Sequence, residues 1–217
     1  MSTAVATETE TETRTDVRYT PDDLLNMSDS KDYELVGGRL VERHMGAESS
    51  RIGTRLCTRL DRFCDENDLG IVWGADNGYQ CFPHDPRQVR KPDISFVKKG
   101  RLPGDASPKG WIRIVPDLVV EVVSPGDLAE QLEEKLTDYQ MAGVPLIWVI
   151  YPNQRRARAF RLDGPPALVR EDDDLSGEDI LPGFRCRLGG ILPRQAPTAE
   201  PPASTPPTDP HRNPTDH

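Results

Sequence analysis

The sequence lacks the patterns of several common protein classes. None of its four cysteines forms a C-x-x-C pair, and its four histidines form no H-E-x-x-H pattern. Neither a zinc site nor a disulfide framework is therefore expected. The chain also has no G-x-S-x-G segment and no recognisable cysteine–histidine neighbourhood, which argues against a hydrolase with a serine or cysteine nucleophile.

Long apolar runs and positive net charge are missing as well. No apolar run reaches the roughly 18 residues that a membrane-spanning helix needs, and the first residues do not show the basic-then-apolar layout of a signal peptide. The sequence thus predicts a cytoplasmic protein. The formal net charge of −9 argues against avid nucleic-acid binding by the whole surface, although it leaves room for local basic patches.

Composition divides the chain of 217 residues into a body and two ends. One end is residues 1–19, of which residues 1–16 alternate threonine and glutamate, and the other is residues 193–217, which are rich in proline and threonine. Both segments have almost nothing to bury, so we predict two disordered tails. Residues 20–192 are long enough to form one domain with an apolar core.

Hydrophobic periodicity in the body predicts an α/β domain. Residues 33–43, YELVGGRLVER, indicate a hairpin, because Gly37 and Gly38 tolerate the positive φ angles of a two-residue turn. Residues 48–68 predict an amphipathic helix with Ser49 or Ser50 as its N-cap. A second helix is predicted to end at Gly143, and strands are predicted at residues 71–82, 91–97, 116–123, 145–152, 156–162, 167–171 and 184–188.

Glu121 stands in the middle of an apolar strand, within the stretch PDLVVEVVSPGD. Residues on a strand alternate between its two faces, and both faces here carry valines. Burying an unpaired carboxylate costs several kcal/mol or shifts its pKa until it is neutral. Glu121 therefore needs a positively charged partner, a metal ion or solvent beside it.

Lys135 is a candidate for that partner. On the second predicted helix it falls within an apolar stripe formed by Leu128, Leu132, Leu136 and Tyr139. One interpretation is that its stem packs on the core while its ammonium reaches water. The other is that the stripe packs on the sheet and directs the ammonium to Glu121.

Two further carboxylates could join this pair. Asp93 begins the predicted strand after Pro92, and Glu34 lies in the predicted hairpin. Each could equally be an ordinary solvent-facing residue. Carboxylates that converge with a lysine would form a site for a hard divalent cation, which can activate water for attack on a phosphodiester.

Four segments, in this order, resemble the Uma2 family of predicted restriction endonucleases, a branch of the PD-(D/E)XK nuclease superfamily. They are YELVGGRLVER, KPDISFV, PDLVVEVVSP and EKLTDYQMAGVPLIWVIYP. The similarity spans residues 33–192. It implies a restriction-endonuclease-like fold, in which helices flank a mixed central sheet, and Mg²⁺ as the usual metal, with Mn²⁺ as a substitute.

The resemblance also implies the site residues. Asp93 and Glu121 match the metal-binding acids, Glu34 matches an upstream acid, and Lys135 matches the helix lysine of the family. The carbonyl of Val123 would complete the metal shell. Val123 also occupies the position where the superfamily usually has its lysine, Gln131 stands where relatives often have aspartate, and Ser49 and Ser50 stand where they often have histidine.

Arg51, Arg55, Arg59 and Arg62 share one side of the first predicted helix, beside its apolar face. They could contact the phosphates of nucleic acid without reading bases. The alternative is a solvated face balanced by neighbouring acids.

These observations predict a Mg²⁺-dependent endonuclease that acts on nucleic acid, with DNA as the favoured substrate. Two copies related by a two-fold axis would cut both strands of a duplex most simply, so a homodimer is expected. The alternative function is a weak or inactive nuclease fold that serves as a nucleic-acid-binding or interaction module.

Overall fold

The computed structural model describes residues 17–44 and 46–194. The predicted disorder of residues 1–16 and 195–217 lies outside them. The helices are α1 (Pro21–Asn26), α2 (Ala47–Asn67) and α3 (Ala129–Ala142). The strands are β1 (Tyr33–Val36), β2 (Arg39–Glu42), β3 (Gly70–Gly74), β4 (Ile94–Lys98), β5 (Leu118–Val122), β6 (Leu146–Tyr151), β7 (Arg156–Arg161), β8 (Ala167–Arg170), β9 (Asp174–Ser176) and β10 (Arg185–Arg187).

A six-stranded mixed sheet in the order β3-β4-β5-β6-β7-β8 forms the centre of the fold. Strands β5 and β6 are parallel and are joined through α3, whereas all other neighbours in this sheet are antiparallel. One apolar layer lies between the sheet and α2, and a second lies between the opposite face and α3. The predicted mixed sheet flanked by helices is therefore confirmed.

The predicted hairpin is present and is docked against the segment before β4. Strands β1 and β2 pair across Gly37 and Gly38, whose φ angles are 55° and 80°. Leu35 and Val89 exchange two backbone hydrogen bonds of 2.9 Å. This docking holds β1, and with it Glu34, against residues 88–91.

Helix α2 has the predicted apolar face, but its predicted N-cap is wrong. The N-cap residue is Gly46, and the N–H of Gly46 donates a hydrogen bond of 3.2 Å to the Ser49 hydroxyl. Ser49 also shares a 2.6 Å hydrogen bond with the hydroxyl of Ser124, just beyond β5. Ser49 thus lies in the first turn of the helix, and its hydroxyl links α2 to the end of β5 in the central sheet.

Several element boundaries differ from the prediction. Strand β3 ends at Gly74, and residues 75–82 lie outside the sheet, where Tyr79 forms isolated bridges with Arg90 and Ile112. Strand β4 begins at Ile94, one residue after Asp93. The short strand β9, which pairs with β10, was not predicted.

Helix α1 was not predicted either, although the sequence carries a signal for it. Thr20 and Asp23 form a reciprocal capping box around Pro21, the first helical residue. Such a box satisfies N–H groups that have no partner within the helix. Among the helices of the described residues, none is long and apolar enough to cross a membrane.

Candidate active site

Glu121 lies on β5 and faces α3. Leu118, Val120 and Val122 face α2 from the same strand, whereas Val119 contacts the α3 layer. The alternation expected of a strand therefore puts Glu121 in the second layer, where it is only 5% exposed.

The ammonium of Lys135 points to this carboxylate rather than to solvent. Its Nζ donates to Glu121 Oε2 at 2.9 Å and lies 3.0 Å from Glu34 Oε1. It also donates to the carbonyl of Lys91 at 3.2 Å. The lysine thus bridges two acids that are far apart in the sequence.

Asp93 lies beside Glu121 because of strand register. Ile94 of β4 pairs with Val120 of β5 in antiparallel register, so one further step sets Asp93 opposite Glu121. Asp93 Oδ2 accepts a 2.7 Å hydrogen bond from the Val122 N–H. The side chain is 30% exposed, and its Oδ1 lies 3.6 Å from Arg43 Nη2.

Glu34 is a buried residue of the hairpin, with both oxygens occupied. Oε1 accepts from the Lys91 N–H at 2.7 Å, and Oε2 accepts from Arg90 Nη1 at 3.1 Å. Glu34, Asp93, Glu121 and Lys135 all line one cleft. The structure therefore brings together all four residues predicted as catalytic.

Burial and the neighbouring charges set the pKa values of this cluster. Burial raises the pKa of Glu121 to about 8, Lys135 opposes that shift, and Asp93 and Glu34 add to it. Burial likewise raises the pKa of Asp93, against the effect of Lys135. Burial would raise the pKa of Glu34, but Lys135 and Arg90 lower it overall.

The two acidic neighbours Asp93 and Glu121 fit a hard divalent cation. They are oxygen donors on adjacent strands, and burial, with Asp93 and Glu34 nearby, raises the pKa of Glu121 despite Lys135, so a bound cation would stabilise the ionised carboxylate. In the part of the chain that the structure describes, no group of three or more His, Cys, Asp or Glu side chains could hold a metal. An ion here would take its other ligands from water or substrate, as Mg²⁺ commonly does.

The other predicted site residues, Val123 and the four arginines, are not among the residues that line the cleft. Val123 follows β5, its N–H donates to the Ile150 carbonyl at 2.9 Å, and it is not among the residues that line the cleft. None of the arginines, all on described residues of α2, lines the cleft either.

The arginines instead have local partners or lie at the surface. Arg55 donates to the Ile191 and Leu192 carbonyls at 3.2 and 3.3 Å. Arg59 donates to the Gly190 carbonyl at 3.0 Å. Arg62 forms a 2.7 Å ion pair with Glu66 one turn further along, and Arg51 is exposed.

Sequence reasoning missed two side chains that hold these acids. Arg90 directly precedes the K-P-D segment, and one of two consecutive basic residues carries no local signal of burial. Tyr139 was placed in the apolar stripe of α3, but its hydroxyl donates to Glu121 Oε1 at 3.0 Å. A buried tyrosine usually has a hydrogen-bond partner, and this was the available signal.

The mixed sheet flanked by helices, with acids and a lysine in one cleft, defines a nuclease-like α+β domain. A family model, Uma2, described as "Putative restriction endonuclease", matches residues 21–189. The chain belongs to this family, and membership of the family supports the interpretation of the protein as a nuclease.

A solved structure shares the fold. The crystal structure of a "putative nuclease belonging to DUF820" from Anabaena variabilis ATCC 29413 superposes with a TM-score of 0.67 at 16% identity. The match covers 80% of this chain and 97% of that one. The comparison with curated proteins finds no match.

Proposed function

We propose that this protein is a Mg²⁺-dependent endonuclease that hydrolyses phosphodiester bonds of nucleic acid, with DNA as its substrate and Mn²⁺ as an alternative metal. The observation that carries the proposal is the pairing of Asp93 and Glu121 across adjacent strands, with Lys135 beside them in the same cleft. Membership of the Uma2 family supports it.

The site residues have distinct tasks in this proposal. Asp93 and Glu121 would hold the metal, and the backbone of Val123 is a proposed further ligand. A bound metal would supply a water of lowered pKa and positive charge for the phosphate.

Lys135 is the residue that would act on the phosphate. Burial alone would lower its pKa, but Glu121 and Glu34 raise the pKa overall, so the ammonium stays charged. It would donate to a phosphate oxygen or orient the attacking water. Because position 123 is a valine, the helix lysine is the side chain available for this task.

The arginines of α2 remain proposed phosphate contacts. Arg51 and Arg62 are both exposed, and Arg62 is paired with Glu66. Arg55 and Arg59 already donate to the backbone of residues 190–192, so only their remaining N–H groups could contact nucleic acid.

Cleavage assays on the purified full chain test the proposal. Supercoiled, linear and single-stranded DNA and RNA would be incubated with Mg²⁺, Mn²⁺ or EDTA. We expect metal-dependent cleavage that falls about 100-fold or more in Asp93→Asn, Glu121→Gln and Lys135→Met. Asp117→Asn is the control, because this buried acid pairs with Arg101 at the other end of β5.

The surroundings of Lys135 favour the alternative function, a weak or inactive nuclease fold that binds nucleic acid. The usual lysine position is Val123, and the ammonium of Lys135 is already held by two carboxylates. Folded wild-type protein that binds nucleic acid but cleaves none of these substrates with either metal would support the module and contradict the endonuclease. Cleavage that survives all three substitutions would show that the site lies elsewhere.

A further inference from the structure

Three polar residues of α3 face the same cluster of acids. Lys135, Asp138 and Tyr139 are spaced i, i+3 and i+4, which puts them on one side of a helix. Lys135 has its proposed task on the phosphate, whereas Asp138 and Tyr139 have none. Both are buried, at 7% and 1% exposure.

Tyr139 holds the oxygen of Glu121 that Lys135 leaves free. Its hydroxyl donates to Oε1 at 3.0 Å, while Lys135 donates to Oε2 at 2.9 Å. The tyrosine ring packs against Phe82, with 6.2 Å between ring centroids. With both oxygens held from one helix, the Glu121 carboxylate has little freedom to rotate.

Asp138 acts on the second acid through a guanidinium. Its Oδ2 accepts from Arg90 Nε at 2.7 Å, and Gln88 donates to the same oxygen. Arg90 Nη1 in turn donates to Glu34 Oε2 at 3.1 Å. Arg90 is 2% exposed, so its orientation depends on these acids.

His84 completes the surroundings of Asp138. Its Nε2 lies 3.0 Å from Asp138 Oδ1. Both oxygens of Asp138 therefore have partners, and the carboxylate faces Arg90 in one orientation.

We propose that Asp138 and Tyr139 are positioning residues of this site, Tyr139 by fixing Glu121 and Asp138 by fixing Glu34 through Arg90. Together they hold the two carboxylates between which Lys135 lies. This inference rests on the proposed function for its kinetic consequences. The geometric consequence, the placement of Lys135, can be measured without cleavage.

Tyr139→Phe is the sharpest test, because it removes one hydroxyl and keeps the ring. Its matched control is Tyr79→Phe: Tyr79 is fully buried in the same apolar cluster, but its hydroxyl lies beside Ser95 and the residue does not line the cleft. We expect Tyr139→Phe to lower kcat about 10-fold, with KM for nucleic acid within about 2-fold. The Mg²⁺ concentration needed for half of the thermal shift should rise about 10-fold. Tyr79→Phe should change none of these.

Asp138→Asn tests whether Asp138 positions Glu34 through Arg90, and Asp117→Asn is its control. Each variant removes the charge of a buried aspartate that pairs with an arginine. We expect both to lower the melting temperature, but only Asp138→Asn to lower kcat, by about 10-fold. If Asp138→Asn does not fold, Tyr139→Phe still decides the question.

A measurement on Lys135 separates the two proposals. In protein labelled with ¹⁵N at lysine Nζ, the ammonium of Lys135 should exchange its protons slowly in the wild type, because two carboxylates hold it. Exchange should be faster in Tyr139→Phe and Asp138→Asn and unchanged in both controls. Wild-type protein without cleavage or a Mg²⁺ response would contradict the endonuclease, and the exchange rates would still test positioning.

The positioning proposal is overturned if Tyr139→Phe matches Tyr79→Phe in kcat, in Mg²⁺ response and in Lys135 proton exchange. It is also overturned if Asp138→Asn and Asp117→Asn differ in none of these. A double variant adds a check: in a Glu121→Gln background, Tyr139→Phe should cause no further acceleration of proton exchange at Lys135.

Discussion

At the scale of single residues, burial and closely spaced carboxyl groups determine the behaviour of the cleft. Glu121 and Glu34 share one ammonium, and Asp93 adds a third carboxyl group. The guanidinium nearest to Asp93 lies 3.6 Å away, on Arg43. The free energy of unfolding and the response to metal should therefore depend on whether Glu121 is protonated.

Glu121→Gln should remove a pH dependence of stability. The pKa of Glu121 is raised from about 4.5 to about 8 in the folded protein, so the folded state holds more protons than the unfolded state between these values. Stability of the metal-free wild type should therefore fall as pH rises from about 4.5 to about 8. The variant should lose most of this fall and be the more stable protein at pH 8.

Urea unfolding in EDTA at several pH values between 4.5 and 8.5 measures this effect. The two proteins should differ least near pH 4.5, where Glu121 is protonated in the folded state and about half protonated in the unfolded state. Parallel pH profiles of wild type and variant would contradict the raised pKa of Glu121. With Mg²⁺ present, the melting temperature should rise in the wild type and not in Glu121→Gln.

Lys135→Met should destabilise the metal-free protein in a pH-dependent way. Removing one partner of a buried ion pair leaves an uncompensated charge, which costs about 3 kcal/mol. We expect a loss of that order at pH 8 and a smaller loss at pH 5, where Glu121 can be protonated.

Denaturant unfolding at both pH values checks this expectation. Lys109→Met is the control, because Lys109 is exposed. Equal losses for the two lysine variants would mean that the ammonium of Lys135 is solvated after all.

At the scale of elements, the β1–β2 hairpin matters because it carries Glu34. Its turn needs positive φ at Gly37, where no heavy atom lies within 4 Å of an added Cβ. Strain in this turn should therefore come from the backbone and not from crowding. Because the hairpin is docked at Val89, a distorted turn would also shift Glu34 and, through Glu34, the ammonium of Lys135.

A pair of substitutions at Gly37 tests this. Gly37→Asn should stay within about 0.5 kcal/mol of wild type, because asparagine adopts the left-handed region readily, whereas Gly37→Val should cost about 1–2 kcal/mol. Thermal unfolding gives the difference. A valine variant as stable as the asparagine variant would contradict the assigned turn.

At the scale of the whole molecule, the proposed reaction raises the question of assembly. Within the described residues the proposed site occurs once, whereas a duplex has two strands of opposite direction. Two copies related by a two-fold axis would present one cleft to each strand. We therefore expect a homodimer.

Sedimentation equilibrium at micromolar concentration, with and without a short duplex, measures the assembly. A mass twice that of the chain is the expected result. A mass of 24.2 kDa under both conditions would contradict the dimer.

The sequence by itself determined two of the helices and the hairpin, and it showed that Glu121 needs a partner for its buried charge. Helices α2 and α3 and the hairpin follow from hydrophobic periodicity and from two glycines, which are local properties of the chain. The carboxylate of Glu121 within a valine run could be predicted to need a partner, because burying a charge is costly anywhere. Lys135 could be named because it interrupts an apolar stripe.

Only the tertiary structure decided which groups converge. The neighbouring position of Asp93 depends on the register of β4 against β5, and that of Glu34 depends on the docking of the hairpin at Val89. Arg55 and Arg59, predicted to reach nucleic acid, donate to residues 190–192, a segment more than a hundred positions away. Contacts over such separations depend on how whole elements pack, and periodicity within one segment carries no information about its partner.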